Sequence, residues 1–283
     1  MKMLIAGAAG QLGRALQAEA PAVATVIAPP EADFDITDDN RIEAVVSASG
    51  ATHLVNAAAY TAVDKAETDE AGAHRINADA VASLAAAARR HGIAFIHVST
   101  DFVFDGNASR PYAPGAAANP ISVYGRTKYA GEVAAGSEAL IIRTAWVYAA
   151  VGNNFVHTML RLMRERPEIR VVADQIGTPT HAAGLARAIW RLADQRGIHH
   201  WTDAGVASWY DFAAAIHDEA LSIGLLHHRI PIIPIRTQDY PTPAQRPPYG
   251  VLDKTGTWAI TGPARHWRCE LRDCLAAIKV NGL

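Results

Sequence analysis

Met3-Leu4-Ile5-Ala6-Gly7-Ala8-Ala9-Gly10-Gln11-Leu12-Gly13 is the stretch that decides the fold. A short apolar run breaks at Gly7 and residues 11–19 then read as a helix, so the order is strand, glycine turn, helix. Glycine at 7, 10 and 13 permits dihedrals closed to other residues, lets a pyrophosphate approach the backbone and lets helix pack on strand. The helix N-terminus adds the positive end of its dipole. Three glycines alone describe any tight strand-to-helix turn; at the head of a βαβ unit they point to a nucleotide.

Apolar runs continue outward from this turn at 23–27, 54–58, 95–98 and 140–142. Helical stretches separate them, one over 38–47 with Thr37 as its N-cap and an alanine-rich one over 73–91 closed by Gly92. Strands apolar on both faces that alternate with helices predict a buried parallel sheet, a Rossmann-type doubly wound α/β fold. Residues 1–145 are read as the nucleotide-binding domain, with strands near 169–174 and 197–203 returning to its sheet. Residues 146–283 form mainly a smaller, mixed substrate lobe with helices near 155–166 and 209–223. A proline-dense stretch from Pro231 to Pro248 predicts an ordered loop over a site or a linker.

Half of the 283 residues are hydrophobic and 19% are charged, as in ordinary globular proteins. With 26 basic against 28 acidic side chains, the chain lacks the basic field that nucleic-acid or membrane-surface binding needs. Cys269 and Cys274 support neither a disulfide framework nor a zinc site and read as core thiols. The early glycines exclude a signal peptide and no run approaches a membrane span, so a cytoplasmic location is expected. The adjacent pairs His199-His200 and His227-His228 converge poorly on one ion and read as surface or lobe histidines; no metal ligands are assigned. Asp64, Glu67, Asp69 and Glu70 read as a solvated helix start.

Asn119-Pro120-Ile121-Ser122-Val123-Tyr124-Gly125-Arg126-Thr127-Lys128 holds a YxxxK pair. With Asn119 as N-cap and Pro120 in the first turn, Tyr124 and Lys128 lie one helical turn apart on one face. A neighbouring ammonium is expected to draw the phenol pKa down from about 10, toward efficient proton transfer. Alone, the pair equally describes an amphipathic helix with a snorkelling lysine. The preceding strand ends in Ser99-Thr100-Asp101, which places Thr100 at the carboxyl edge, where its hydroxyl can polarise a carbonyl or simply cap the backbone. Glycine turn, strand-end Ser-Thr and downstream YxxxK, in that order, are far more specific than any one of them. Together they predict a reductase.

The set resembles the extended short-chain dehydrogenase/reductases and, within them, the dTDP-4-dehydrorhamnose reductase branch. The resemblance runs through the glycine turn, residues 56–67, residues 99–104 and the YxxxK helix. It continues through Arg143-Thr144-Ala145-Trp146-Val147-Tyr148, Gly152-Asn153-Asn154-Phe155, residues 174–180 and residues 240–247. It implies a dTDP-sugar substrate, dTDP-4-dehydro-L-rhamnose, reduced to dTDP-L-rhamnose for surface polysaccharide. Tyr124, Lys128 and Thr100 would be catalytic, Tyr124 giving a proton as the nicotinamide gives the hydride. Gly7, Gly10, Gln11, Leu12 and Gly13 would hold the cofactor pyrophosphate, Asp35 and Ile36 the adenine. Ala59, Tyr60 and Thr61 would line the cofactor, with Tyr124 and Lys128 at its nicotinamide end. Thr100, Asp101 and Trp146 would meet the sugar and Arg246 the diphosphate. The resemblance also implies a homodimer and allows Mg2+, but Arg14-Ala15-Leu16 offers no ligand after the turn and none is carried over.

The chain departs from the family at two places. Ile27-Ala28-Pro29-Pro30-Glu31 has no acid directly at the strand end, and Glu31 stands late for the adenosine ribose. Arg14 beside the last glycine tips the choice toward NADPH over NADH. Tyr249-Gly250 replace the usual Asn-Ser pair after Arg246-Pro247. Three alternatives remain at this point: a reductase of another sugar-nucleotide ketone, an epimerase, and a non-catalytic subunit resembling the β subunit of methionine adenosyltransferase.

Overall fold

A computed structural model describes residues 1–282. Its parallel sheet contains β1 (Lys2–Ala6), β2 (Thr25–Ile27), β3 (His53–Asn56), β4 (Ala94–Thr100), β5 (Leu140–Thr144) and β6 (Gly197–His200), in the spatial order β6-β5-β4-β3-β1-β2. The chain leaves β1 for β2 on one side and returns on the other side as β3. Strand order therefore reverses at β1, and a crevice opens at the carboxyl edge of such a reversal. The doubly wound α/β class predicted from the alternation is the observed one.

The longer helices are α1 (Gln11–Ala18), α2 (Asp39–Ser49), α3 (Ala80–Arg90), α4 (Val123–Ala135), α5 (Phe155–Glu165), α6 (Ala182–Leu192), α7 (Trp209–Ser222) and α8 (Trp267–Val280). Successive strand residues point to opposite faces, so β1 feeds two cores. Leu4 packs with Leu54, Ile42, Val46 and Leu84 under α2 and α3, whereas Met3 and Ile5 pack with Val55, Leu16, Leu185 and Ile189 under α1 and α6. This two-sided burial is why the strands read as continuous apolar runs. A third core, with Met159, Leu160, Phe212, Ile216, Leu271 and Leu275, joins α5, α7 and α8 into the smaller lobe.

Several boundaries differ from the sequence reading for identifiable reasons. Residues 23 and 24 stay outside β2, with Val23 fully on the surface. Asp38, not Thr37, caps α2, because its carboxylate accepts from the Asn40 and Arg41 N–H groups while Thr37 bonds back to Asp35. The stretch 73–91 is helical but contains a π-turn, Arg75–Asp79, whose extra residue turns Asn77 inward. Ile169–Val172 does not return to the main sheet; it pairs in parallel with Ile232–Ile235 in the lobe. Arg170 on its open face and Pro234 in its partner suit a two-stranded edge rather than a sheet interior. Gly197–His200 does lie beside β5. His200 is buried there with Nδ1 on the Tyr112 carbonyl, so it is not a surface histidine, unlike exposed His227 and His228. Cys274 is a core thiol, whereas Cys269 is only half-buried. No helix among the described residues is long and apolar enough to cross a membrane.

Helix α4 begins three residues later than Asn119-Pro120 suggests. Ser122 is its N-cap, with Oγ accepting from the Gly125 N–H at 3.2 Å, and Glu67 takes the Val123 N–H at 2.9 Å. Two glycines let this helix settle deeply: a Cβ at Gly125 would overlap the Phe102 carbonyl and one at Gly131 the Asn77 carbonyl. Mid-helix glycine normally costs about 1 kcal/mol relative to alanine. Here the sign reverses. Gly131→Ala is expected to destabilise the protein by about 1–3 kcal/mol through overpacking, read as a lower thermal midpoint.

Candidate active site

A cleft of about 1310 Å³ runs from the glycine turn across the carboxyl ends of the strands to the smaller lobe. That exceeds the roughly 300–1,000 Å³ of a single small-ligand site and suits two nucleotides end to end. Gly7, Gly10, Gln11, Leu12, Asp35, Ile36, Ala59 and Thr61 line one end; Thr100, Asp101, Tyr124, Lys128, Trp146 and Arg246 line the middle and the lobe side. Two expected residues are outside its wall. Gly13 lies beneath the turn, where a Cβ would overlap the Gly7 carbonyl, so it serves helix packing rather than contact. Tyr60 is turned away: Asn77 binds its backbone at both N–H (2.9 Å) and C=O (3.2 Å), and its hydroxyl donates to Asp69 at 3.0 Å.

The reacting groups meet where β4 ends and α4 passes over it. The Thr100 hydroxyl donates to Asp101 Oδ1 at 3.0 Å and accepts from the Phe102 N–H at 3.2 Å. The Tyr124 ring stands edge-on to Phe102, with centroids 5.4 Å apart. Lys128 Nζ donates to the Val98 carbonyl at 2.7 Å. Burial pushes the Tyr124 phenol up to about 12; the neighbouring Thr100 hydroxyl opposes the rise and the Asp101 charge adds to it. The expected depression by Lys128 is not found: the lysine is not among the influences on the phenol, which burial dominates, and burial likewise brings Lys128 down to about 8. Burial also lifts Asp101 to about 7. At neutral pH the site thus holds a firmly protonated phenol beside a weakly basic lysine.

A buried ion pair supports this arrangement from below. Glu132, one turn beyond Lys128, receives Arg143 through Nε at 2.8 Å and Nη2 at 2.7 Å, and Ser99 Oγ at 2.5 Å. Both partners are almost fully buried, so α4 is tied to β4 and β5 by satisfied charges. At the lobe side Trp146 has a left-handed φ of 48° and its indole stacks on Trp209 at 3.6 Å between centroids. The acidic cluster is not simply solvated. Asp64 takes both terminal nitrogens of Arg246 at 2.5 and 2.8 Å, which holds its carboxyl below the usual range and pins the proline-rich loop over the cleft. Asp69 caps the Glu70–His74 turn. At the rim, Asn154 Nδ2 donates to Gln11 Oε1 at 2.8 Å, joining the glycine turn to the start of α5.

Residues 1–280 match the family described as RmlD substrate binding domain. The chain belongs to that family. A dTDP-4-dehydrorhamnose reductase of Aggregatibacter actinomycetemcomitans is 40% identical over 268 residues, 90% of this chain and 91% of the relative. The crystal structure of a dTDP-4-dehydrorhamnose reductase from Clostridium acetobutylicum superposes with a TM-score of 0.92 at 38% identity, covering 99% of this chain and all of that one. One from Bacillus anthracis in complex with NADP superposes at 0.89 with 33% identity, covering 97% and 98%.

A nicotinamide dinucleotide fits this RmlD-family cleft by an observation on the turn itself. Gly10 leaves the backbone open beside the Gly7 carbonyl, and Gly7 adopts a φ of 78° that brings it against Ala58. Glu31 also lines the cleft, although its distance from the strand end suggested otherwise. Arg14 stays outside the lining, with Nε on the Ala9 carbonyl at 2.8 Å. No group of three or more His, Cys, Asp or Glu side chains among the described residues is placed to hold a metal ion. Glu132, Arg143 and Trp209 were missed from sequence because no spacing links them to the motif; Arg143 carried a signal only as a lone charge inside an apolar strand.

Removing one partner of the buried pair tests its role. Glu132→Ala leaves Arg143 uncompensated and is expected to cost about 3–5 kcal/mol in denaturant unfolding.

Proposed function

We propose that this chain reduces the carbon-4 ketone of dTDP-4-dehydro-L-rhamnose to the alcohol of dTDP-L-rhamnose. The observation that carries the reading is Tyr124 and Thr100 lining one cleft with Lys128 at the carboxyl edge of the sheet, beside the glycine turn. The names of the full-length relatives supply the substrate. When bound, the nicotinamide supplies the hydride. Tyr124, its proton held firmly at neutral pH, gives that proton to the ketone oxygen, which becomes the product hydroxyl. The phenolate left behind is steadied by the Lys128 ammonium. Thr100 polarises the ketone by turning its single hydroxyl proton from Asp101 to the ketone oxygen. Trp146 offers a flat apolar wall to the sugar, and Arg246 meets the diphosphate in competition with Asp64.

The cofactor preference is read differently from the lean that Arg14 suggested. Glu31 on the wall accepts ribose hydroxyls and repels a phosphate, while Arg14 is turned back on the glycine turn. We therefore propose that NADH serves at least as well as NADPH. Glu31→Ser is expected to raise the NADPH-to-NADH ratio of kcat/KM several-fold, and an unchanged ratio would remove Glu31 from the account.

Tyr124→Phe is expected to bind cofactor normally and to lose about 10²- to 10⁴-fold in turnover, measured as nicotinamide absorbance. Full turnover in that variant would refute the assignment. Because the Lys128 cation is lost as pH rises through about 8, kcat/KM is expected to fall above that pH.

A further inference from the structure

Asn56, His97 and Lys128 form a buried line from the end of β3, through β4, to α4; they are 0%, 0% and 2% exposed. Their hydrogen bonds permit one arrangement of protons. The Ala58 N–H donates to Asn56 Oδ1 at 3.1 Å, which fixes the amide with Nδ2 toward the histidine ring. Asn56 Nδ2 stands 3.3 Å from His97 Nδ1, and an amide nitrogen only donates, so Nδ1 is the bare, accepting nitrogen. Turning the amide over would set its NH2 against the Ala58 N–H and orphan a backbone donor. Burial, with the Lys128 charge beside it, keeps the imidazole neutral, so it carries a single proton. That proton sits on Nε2, which faces Lys128 Nζ at 3.5 Å.

We infer that His97 is a positioning residue that turns an N–H toward Lys128 and so makes the lysine a weaker base. The inference rests on reading Lys128 as the cation that steadies the Tyr124 phenolate. An ammonium meets this N–H donor to donor, whereas a neutral amine accepts from it and still donates to the Val98 carbonyl. Tyr124 and Glu132 flank Lys128 on its own helix, and the packed elements also carry Asp101, directly after β4, and Arg143 on β5. Of these only Glu132 acts on the lysine charge. Glu132 pulls the other way, favouring the ammonium, but its oxygens are committed to Arg143 and Ser99. Gly131 leaves α4 close enough for the ring to meet the lysine, since a Cβ there would stand 3.4 Å from His97 Nε2.

The tautomer can be read directly in the unaltered protein. Long-range proton–nitrogen correlations of histidine-labelled protein are expected to show His97 neutral and protonated at Nε2 from about pH 6 to 9. An Nδ1-protonated or cationic His97 would overturn the inference. His97→Gln offers Lys128 a carbonyl in place of the N–H. The alkaline limb of kcat/KM is expected to move up by about one pH unit, a tenfold change in proton affinity. A limb that stays in place in a folded variant would also overturn the inference, and if the variant does not fold the tautomer measurement decides alone. Undiminished turnover in Tyr124→Phe would instead remove the proton-donor reading while leaving the tautomer result standing, so the two failures are distinguishable.

Discussion

The close seat of α4 on the edge of β4 is the constraint on which the rest depends. Backbone carbonyls of Phe102 and Asn77 occupy the space that side chains at 125 and 131 would fill, and Glu132 locks the helix through Arg143 and Ser99. Without that approach Tyr124 and Lys128 would not reach the carboxyl edge. The arrangement is demanding because a buried ion pair stabilises only when each lone pair and proton is matched. Here Arg143 meets a carboxylate, the Pro114 carbonyl and the face of Phe104. Its desolvation is offset on every side.

The site also shows how burial reorders the acid strengths that the sequence suggests. Spacing alone argues for a lysine that acidifies its tyrosine, since charge attraction is the only visible influence. In the folded chain both groups have left water, and desolvation disfavours phenolate and ammonium alike. The result suits a reduction. A phenol that keeps its proton at neutral pH is an acid in the correct state, and the penalty on phenolate falls only after the proton has left.

The doubly wound sheet was legible because two-sided burial writes itself as apolar runs, and the turn at Gly7 because only glycine accepts its dihedral. The YxxxK pair and Thr100 were legible because their spacing and order are local. Less accessible were features set by distant partners. Tyr60 looked like a cleft residue from its place after β3, yet Asn77, brought inward by a π-turn, rotates it away. Asp64 looked like a solvated acid until the loop after Pro241 delivered Arg246 to it. Ile169–Val172 carried the apolarity of a strand but nothing to say which sheet it would join.

The order of the strands carries a consequence for the protein's behaviour among its own copies. The longest strand, β4 with seven residues, is interior, whereas the edges are β2 with three and β6 with four. An edge strand is a row of unpaired amides that invites another chain to extend the sheet. Edges this short expose few such groups, and the apolar interior strands never present theirs. Resistance to sheet-to-sheet aggregation is thus built into the topology that opens the cleft.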